Sequence, residues 1–190
     1  MGCEKGLCNY RTGNYQADRW TRVYKQVLEF VGLNPDRLHL NLESDTEIIH
    51  TYDRFYKQIQ EMGPIGSELG IDKEKVKEVF EIVDLTLLDE EIKWLVGREW
   101  TLVTIENSYG EVYDEETFRK ILDERLKQQF LIARITYLTK DKPMTTVELA
   151  SAIGVSPQEV FNALVEMQRK ERATLVGFEN RLPVYQSIVK

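Results

Sequence analysis

Apolar positions recur at three- and four-residue steps along most of this chain, and the first such run is clear. Trp20, Val23, Tyr24, Val27, Leu28 and Val31 line one face of a helix predicted over 18–31. Gly32 and Pro35 stop it. The period then changes: Leu38, Leu40 and Leu42 alternate with His39 and Asn41, which predicts a short half-buried strand. Ser44-Asp45-Thr46-Glu47 has the form of a capping box. It opens a helix through Ile48, Ile49, Tyr52, Phe55, Tyr56, Ile59 and Met62, which Gly63-Pro64-Ile65-Gly66 breaks. The strand at 38–42 needs a partner, within the chain or from another polypeptide, because its backbone groups must be hydrogen-bonded.

Two helices are expected next. One, over 72–84, carries Val76, Val79, Phe80 and Val83; the other, near 89–97, carries Ile92, Leu95 and Val96. Trp100-Thr101-Leu102-Val103-Thr104-Ile105 is rich in β-formers, and Asn107-Ser108-Tyr109-Gly110 is a turn signal, so a short hairpin is expected here. Asp114-Glu115-Glu116 suit the start of a long helix, whose buried face is expected at Phe118, Ile121, Leu122, Leu126, Phe130 and Ile135. Pro143 and Thr145-Thr146 introduce a short helix over Val147–Ala152, and Gly154 makes the turn. Ser156-Pro157-Gln158-Glu159 is a second capping box with proline at the first helical position. The helix that follows carries Val160, Ala163, Leu164 and Met167, and residues 173–185 form an apolar hairpin around Gly177-Phe178-Glu179-Asn180.

Helix, turn, helix and a β-wing in that order look like a winged-helix module. The expected fold class is α+β, predominantly helical. A partial α/β half-domain over 1–64 is followed by a helical connector with a short hairpin over 65–112, and by a winged-helix-like domain over 113–190.

Charge narrows the partners. The chain has 25 Lys and Arg against 32 Asp and Glu, a net charge of −7. That opposes broad affinity for nucleic acid or an anionic membrane, since phosphate binding depends on basic residues. The second helix of the winged-helix-like module offers Gln158, Glu159, Asn162, Glu166, Gln168, Arg169 and Lys170, with Arg172 and Arg181 near the wing and Glu171 and Glu179 opposing them. Protein docking is expected there, and nucleic acid binding is not. No run reaches the roughly 20 apolar residues of a membrane span, and the first residues lack an apolar signal core, so a cytoplasmic location is expected.

Cys3 and Cys8 are the only cysteines. Gly2 precedes the first and Gly6 lies between them, so the backbone can bring both sulfurs to one point. Thiolates held this way suit a soft metal or an iron–sulfur cluster; the spacing also admits a disulfide or two unrelated thiols. A reducing compartment favours ligands or redox groups over a structural bridge. Arg11, Arg19 and Arg22 flank the loop, where they either favour thiolates or a reduced cluster or simply belong to a solvated helix start. His39 and His50 have no second ligand near them in sequence, and Asp89-Glu90-Glu91 and Asp114-Glu115-Glu116 read as helix N-terminal acids rather than a catalytic pair. No phosphate-binding glycine loop is present.

The stretch Gly2-Cys3-Glu4-Lys5-Gly6-Leu7-Cys8-Asn9-Tyr10, continued by Gly13-Asn14-Tyr15-Gln16-Ala17-Asp18-Arg19, resembles the second half of the delta subunit of methyl-viologen-reducing hydrogenase, also called the hydrogenase iron–sulfur subunit. The resemblance covers residues 1–64. It implies a small electron carrier with a [2Fe-2S] cluster that docks on an iron–sulfur flavoprotein resembling the A-type subunit of heterodisulfide reductase, with FAD in that partner. Cys3 and Cys8 match the family's cysteine pair, and Gly13, Asn14 and Arg19 match the segment after it. This sequence departs from the family at Glu4-Lys5 (His-Pro there), at Asn9 (often His) and at Trp20 (Arg), and the family's first half has no counterpart. About four protein ligands hold such a cluster, so the resemblance implies that another chain completes it; a chain carrying the missing half is one candidate. The reading is an accessory, non-catalytic electron-transfer subunit. The alternative is a cytoplasmic winged-helix transcriptional regulator whose cysteine pair senses redox state or metal.

Overall fold

The computed structural model describes residues 73–87 and 89–188, together with Arg22, Val23, Lys25, Gln26, Val27, Glu29, Phe30 and Gly32. The strand expected at 38–42 and the helix expected after Ser44 lie outside the described residues, as do Cys3, Cys8 and Arg19. The described part is mostly helical with one small sheet, an α+β arrangement. Its elements are α1 (Lys73–Leu87), α2 (Glu90–Thr104), α3 (Glu115–Thr139), β1 (Met144–Thr145), α4 (Thr146–Ile153), α5 (Pro157–Arg169), β2 (Ala173–Glu179) and β3 (Leu182–Ser187). Two compact units result: Met1–Phe80 with Glu90–Arg119, and Glu81–Asp89 with Lys120–Lys190.

In the first unit, Arg22, Val23, Lys25, Gln26, Val27, Glu29 and Phe30 are helical, with Val23 and Val27 fully buried, as the periodicity predicts. Gly32 follows with φ of +77°, a left-handed residue of the kind that ends helices. The hairpin expected from Trp100 does not form: Trp100–Thr104 continue α2. Ile92, Val96 and Glu99 are buried and Val103 is half-buried. Those steps of four and three residues form a helical stripe, and packing on that stripe overrides the β preference of Trp, Thr and Val. The loop after α2 is tied down locally. The Asn107 side chain accepts hydrogen bonds from the amides of Tyr109 (2.8 Å) and Glu111 (3.0 Å), and the Tyr113 amide donates to the Leu102 carbonyl at 3.1 Å. Asp114 then caps α3, accepting from the Thr117 amide at 2.8 Å and from its hydroxyl at 2.7 Å.

The second unit is built on one core. Ile132 and Ile135 of α3, Leu149, Ala150 and Ile153 of α4, Val160, Ala163, Leu164 and Met167 of α5, and Ala173 and Tyr185 of the sheet pack together. Along α3 the buried face holds Leu122, Leu126, Gln129, Ile132 and Ile135; Ile121, expected on it, lies beside the stripe and is exposed. The two short helices begin with full capping boxes. The Thr145 hydroxyl accepts from the Glu148 amide at 3.2 Å while Glu148 accepts from the Thr145 amide at 2.8 Å; Ser156 and Glu159 do the same at 3.2 and 2.9 Å. Gly154 closes α4 in the left-handed region with φ of +79°, where an added side chain is strained.

The sheet is antiparallel with order β1-β3-β2. Met144 pairs with Tyr185 and Thr145 with Val184, so β1 lies on β3 although the chain reaches it first. Between Leu175↔Tyr185 and Gly177↔Val184, Val176 is left over as a bulge. The hairpin turns at Asn180 and Arg181, with φ of +49° and +69°, a pair of left-handed residues that matches a tight two-residue turn. The sequence signal at Gly177 marks the bulge instead of the turn.

Candidate functional site

The residues that the sequence motif points to as cluster ligands and their neighbour, Cys3, Cys8 and Arg19, lie outside the described residues. Their fit to a cluster is therefore judged on the donor set: two thiolates in the whole chain, half of the usual four. Among the described residues, no group of three or more His, Cys, Asp or Glu is placed to hold a metal ion. Likewise no described helix is long and apolar enough to cross a membrane.

Of the arginines that flank the cysteine loop, Arg22 is described. Its Nη2 donates to both Glu99 oxygens, at 2.8 and 2.7 Å. Glu99 is buried, so the guanidinium is fixed by a partner that offsets its charge. An arginine held this way lends little net field to a thiolate, and it ties the helix at 22–30 to α2. No local pattern in the sequence marks Glu99 for this role, because its partner lies 77 residues away.

A second set of charges is gathered in the other unit. Asp89 sits between α1 and α2 and is buried; its Oδ2 accepts from Arg172 Nη1 at 3.2 Å. With its amide oriented to satisfy both neighbours, Gln129 donates to the same Asp89 oxygen at 3.2 Å and accepts from Arg125 Nη2 at 2.8 Å. Arg125 Nη2 also donates to Glu166 at 3.1 Å, and Glu166 takes further bonds from Gln128 and from Lys170 Nζ, the latter at 3.0 Å. A chain of hydrogen bonds thus runs from Asp89 through Gln129 and Arg125 of α3 to Glu166 of α5. Asp89 directly precedes the first residue of α2, as expected of a helix-start acid, and through Arg172 and Gln129 it also anchors the 81–89 segment. Lys140 does the same for α1: it reaches Glu81 and lies 4.2 Å from the Tyr137 ring centre. Burial pulls the Lys140 pKa down, but the hydrogen bond and charge of Glu81 together with Tyr137 and Asp141 outweigh it, and the net direction is up.

This network bears on nucleic acid binding. Of the basic groups at the α5 end and the wing, Lys170 is held by Glu166 and Arg172 by Asp89. The exposed side of α5 presents Gln158, Glu159, Phe161, Asn162, Gln168 and Arg169, and the wing presents Leu175, Val176, Phe178, Glu179, Arg181 and Leu182. Two arginines among apolar and acidic side chains fall short of the basic stripe that phosphate binding calls for.

Comparison with known proteins adds to the first 63 residues. Residues 1–63 match the family described as methyl-viologen-reducing hydrogenase, delta subunit. The A-type subunit of the ferredoxin:CoB-CoM heterodisulfide reductase of Methanosarcina mazei is 35% identical over 71 residues, 36% of this chain and 9% of that protein. The vhu iron-sulfur subunit of the F420-non-reducing hydrogenase of Methanopyrus kandleri is 33% identical over 69 residues, 36% of this chain and 49% of that protein. The iron-sulfur subunit of an F420-non-reducing hydrogenase of Archaeoglobus profundus is 31% identical over 70 residues, 35% of this chain and 51% of that protein. No solved structure matches the chain. The matched stretch thus spans about half of each hydrogenase subunit and a small part of the reductase subunit, and it places the first third of this chain beside the iron–sulfur subunits of hydrogenases and the A-type subunit of heterodisulfide reductase.

Proposed function

We propose that this chain is an accessory electron-transfer subunit of a flavin and iron–sulfur redox complex resembling the heterodisulfide reductase–hydrogenase group. The observation that carries the reading is the match of residues 1–63 to the hydrogenase delta subunit, joined by relatives from both hydrogenase and heterodisulfide reductase. In this reading Cys3 and Cys8 supply two ligands of a [2Fe-2S] cluster and another chain supplies the rest. Arg19, in the matched segment, would favour the reduced, more negative state of such a cluster through its charge. The cluster would carry single electrons; this chain's own part is to hold it and to position it against a partner that carries FAD. Residues 1–64 form the cluster half-domain and 65–112 the connector. Residues 113–190 act as a winged-helix module that docks on protein. The order helix, strand, helix, helix, hairpin supports that last assignment.

The regulator reading shares the same cysteine pair and module. It draws less support, because Lys170 and Arg172 are held by acids and the exposed α5 surface carries Glu159.

Iron content separates the two. The anaerobically purified chain alone should bind iron poorly, and its native complex should hold a cluster. Cys3→Ser or Cys8→Ser should weaken the [2Fe-2S] electron paramagnetic resonance signal of the complex. An unchanged signal removes both residues from the site, and stable binding of two irons by the isolated monomer rules out a shared cluster.

A further inference from the structure

The segment between α2 and α3 is exposed without interruption from Thr104 to Thr117. Such a stretch is ordinarily polar; this one carries Ile105, Tyr109, Val112 and Tyr113, exposed by 47%, 86%, 44% and 44%. Between 105 and 116 it also carries Glu106, Glu111, Asp114, Glu115 and Glu116 and no basic residue. Glu115 pairs with Arg119 at 3.2 Å, and the other four acids leave the segment negative, so exposed apolar and aromatic side chains interspersed with acids form an interface surface with its partner's charge specified.

The loop is also held in one shape. Ile105 N donates to Thr101 O at 3.0 Å, Asn107 N to Glu111 O at 2.9 Å and Gly110 N to Asn107 O at 3.0 Å. Asn107 Nδ2 reaches Glu111 Oε2 at 3.1 Å. A tyrosine on an ordered loop is a low-entropy anchor, because little chain freedom remains to be lost on binding.

We propose that the 105–116 loop docks on a protein partner whose surface is rich in Lys and Arg around an apolar pocket, with Tyr109 as the anchor and Tyr113 as a second contact. A second copy of this chain is a poor occupant, since it would set five acids against five on a protein already at −7. Anionic membrane and nucleic acid are repelled for the same reason. The proposal rests on the reading that this chain works inside a multi-subunit complex.

The test uses the full chain and the native complex purified with it. Hydroxyl-radical labelling of Tyr109 and Tyr113 should fall when the complex forms. Tyr109→Ala should weaken association about tenfold or more, as truncating an aromatic anchor does. A double variant, Glu106→Lys with Glu116→Lys, should weaken it as well and flatten its salt dependence; both positions are exposed, so circular dichroism should stay unchanged. Equal labelling in free and bound chain, or both variants binding within about twofold of the natural chain, overturns the docking proposal while leaving the complex intact. A complex made only of copies of this chain overturns the partner chemistry. A chain that runs only as a free monomer in extracts of its natural host, with no copurifying protein, overturns both this proposal and the functional reading beneath it.

Discussion

Asp89 shows how much one side chain can decide. It is a buried carboxylate with one oxygen that accepts from both Arg172 and Gln129. Replacing it with alanine leaves the buried Gln129 amide without that acceptor, while Arg172 can turn partly to water. Asp89→Ala should cost roughly 2 kcal/mol, read as a drop in urea midpoint, and Arg172→Ala should cost at least as much, because it leaves the buried carboxylate without its counter-charge. A clearly smaller loss for Arg172→Ala would show that the buried amide, and not the ion pair, carries the effect. In the sequence Asp89 is visible as a helix-start acid, but its anchoring role is not legible: Arg172 lies 83 positions further on, and no local pattern points that far. Cys3 and Cys8 are the opposite case: a motif marks them, because the ligand role proposed for them draws on residues only five positions apart in sequence.

Elements are legible wherever their signals are local. The Ser156-Glu159 box and Gly154 announce α5 and the turn before it, since caps and left-handed glycines act within a few residues. Strand β1 has no such signal, because two residues become a strand only through β3, which lies far along the chain. The end of α2 reads as a strand in sequence and is a helix, because β-branched residues are ambiguous until one knows what covers them. The caps make a pH prediction. Hydrogen bonds from the Thr145 backbone and hydroxyl hold Glu148 below its ordinary carboxylate range, and bonds from the Ser156 hydroxyl and backbone do the same for Glu159. A carboxylate depressed by folding stabilises above its unfolded pKa and loses that contribution as pH falls through the folded one. The second unit should therefore weaken on acidification below about pH 4.5, and Glu148→Gln with Glu159→Gln should flatten that dependence in thermal melts at stepped pH. The wing turn makes another. Asn180 and Arg181 occupy left-handed conformations, so Arg181→Gly should raise stability by about 0.5–1 kcal/mol; a loss would mean the arginine makes a compensating contact.

At the scale of the molecule, the second unit is discontinuous in sequence. Its core lies in 120–188, yet Glu81–Asp89 belong to it through Lys140 and Arg172. A fragment starting at 113 lacks both anchors. Beside a fragment starting at 78, it should unfold at a urea midpoint lower by about 1–2 M, given a slope near 1 kcal/mol/M for a unit this small. Coincident midpoints would show that the 81–89 segment is a passenger.

The same discontinuity gives the exposed 104–117 stretch a second consequence. Exposed loops are where proteases nick a folded chain, and a single cut beside Tyr109 would leave Asp89 and Glu81 on one peptide and Arg172 and Lys140 on the other. The backbone would be severed, but the unit would still need both halves. The two peptides should therefore migrate together through a sizing column after chymotrypsin and separate only in denaturant, a split protein that reassembles itself.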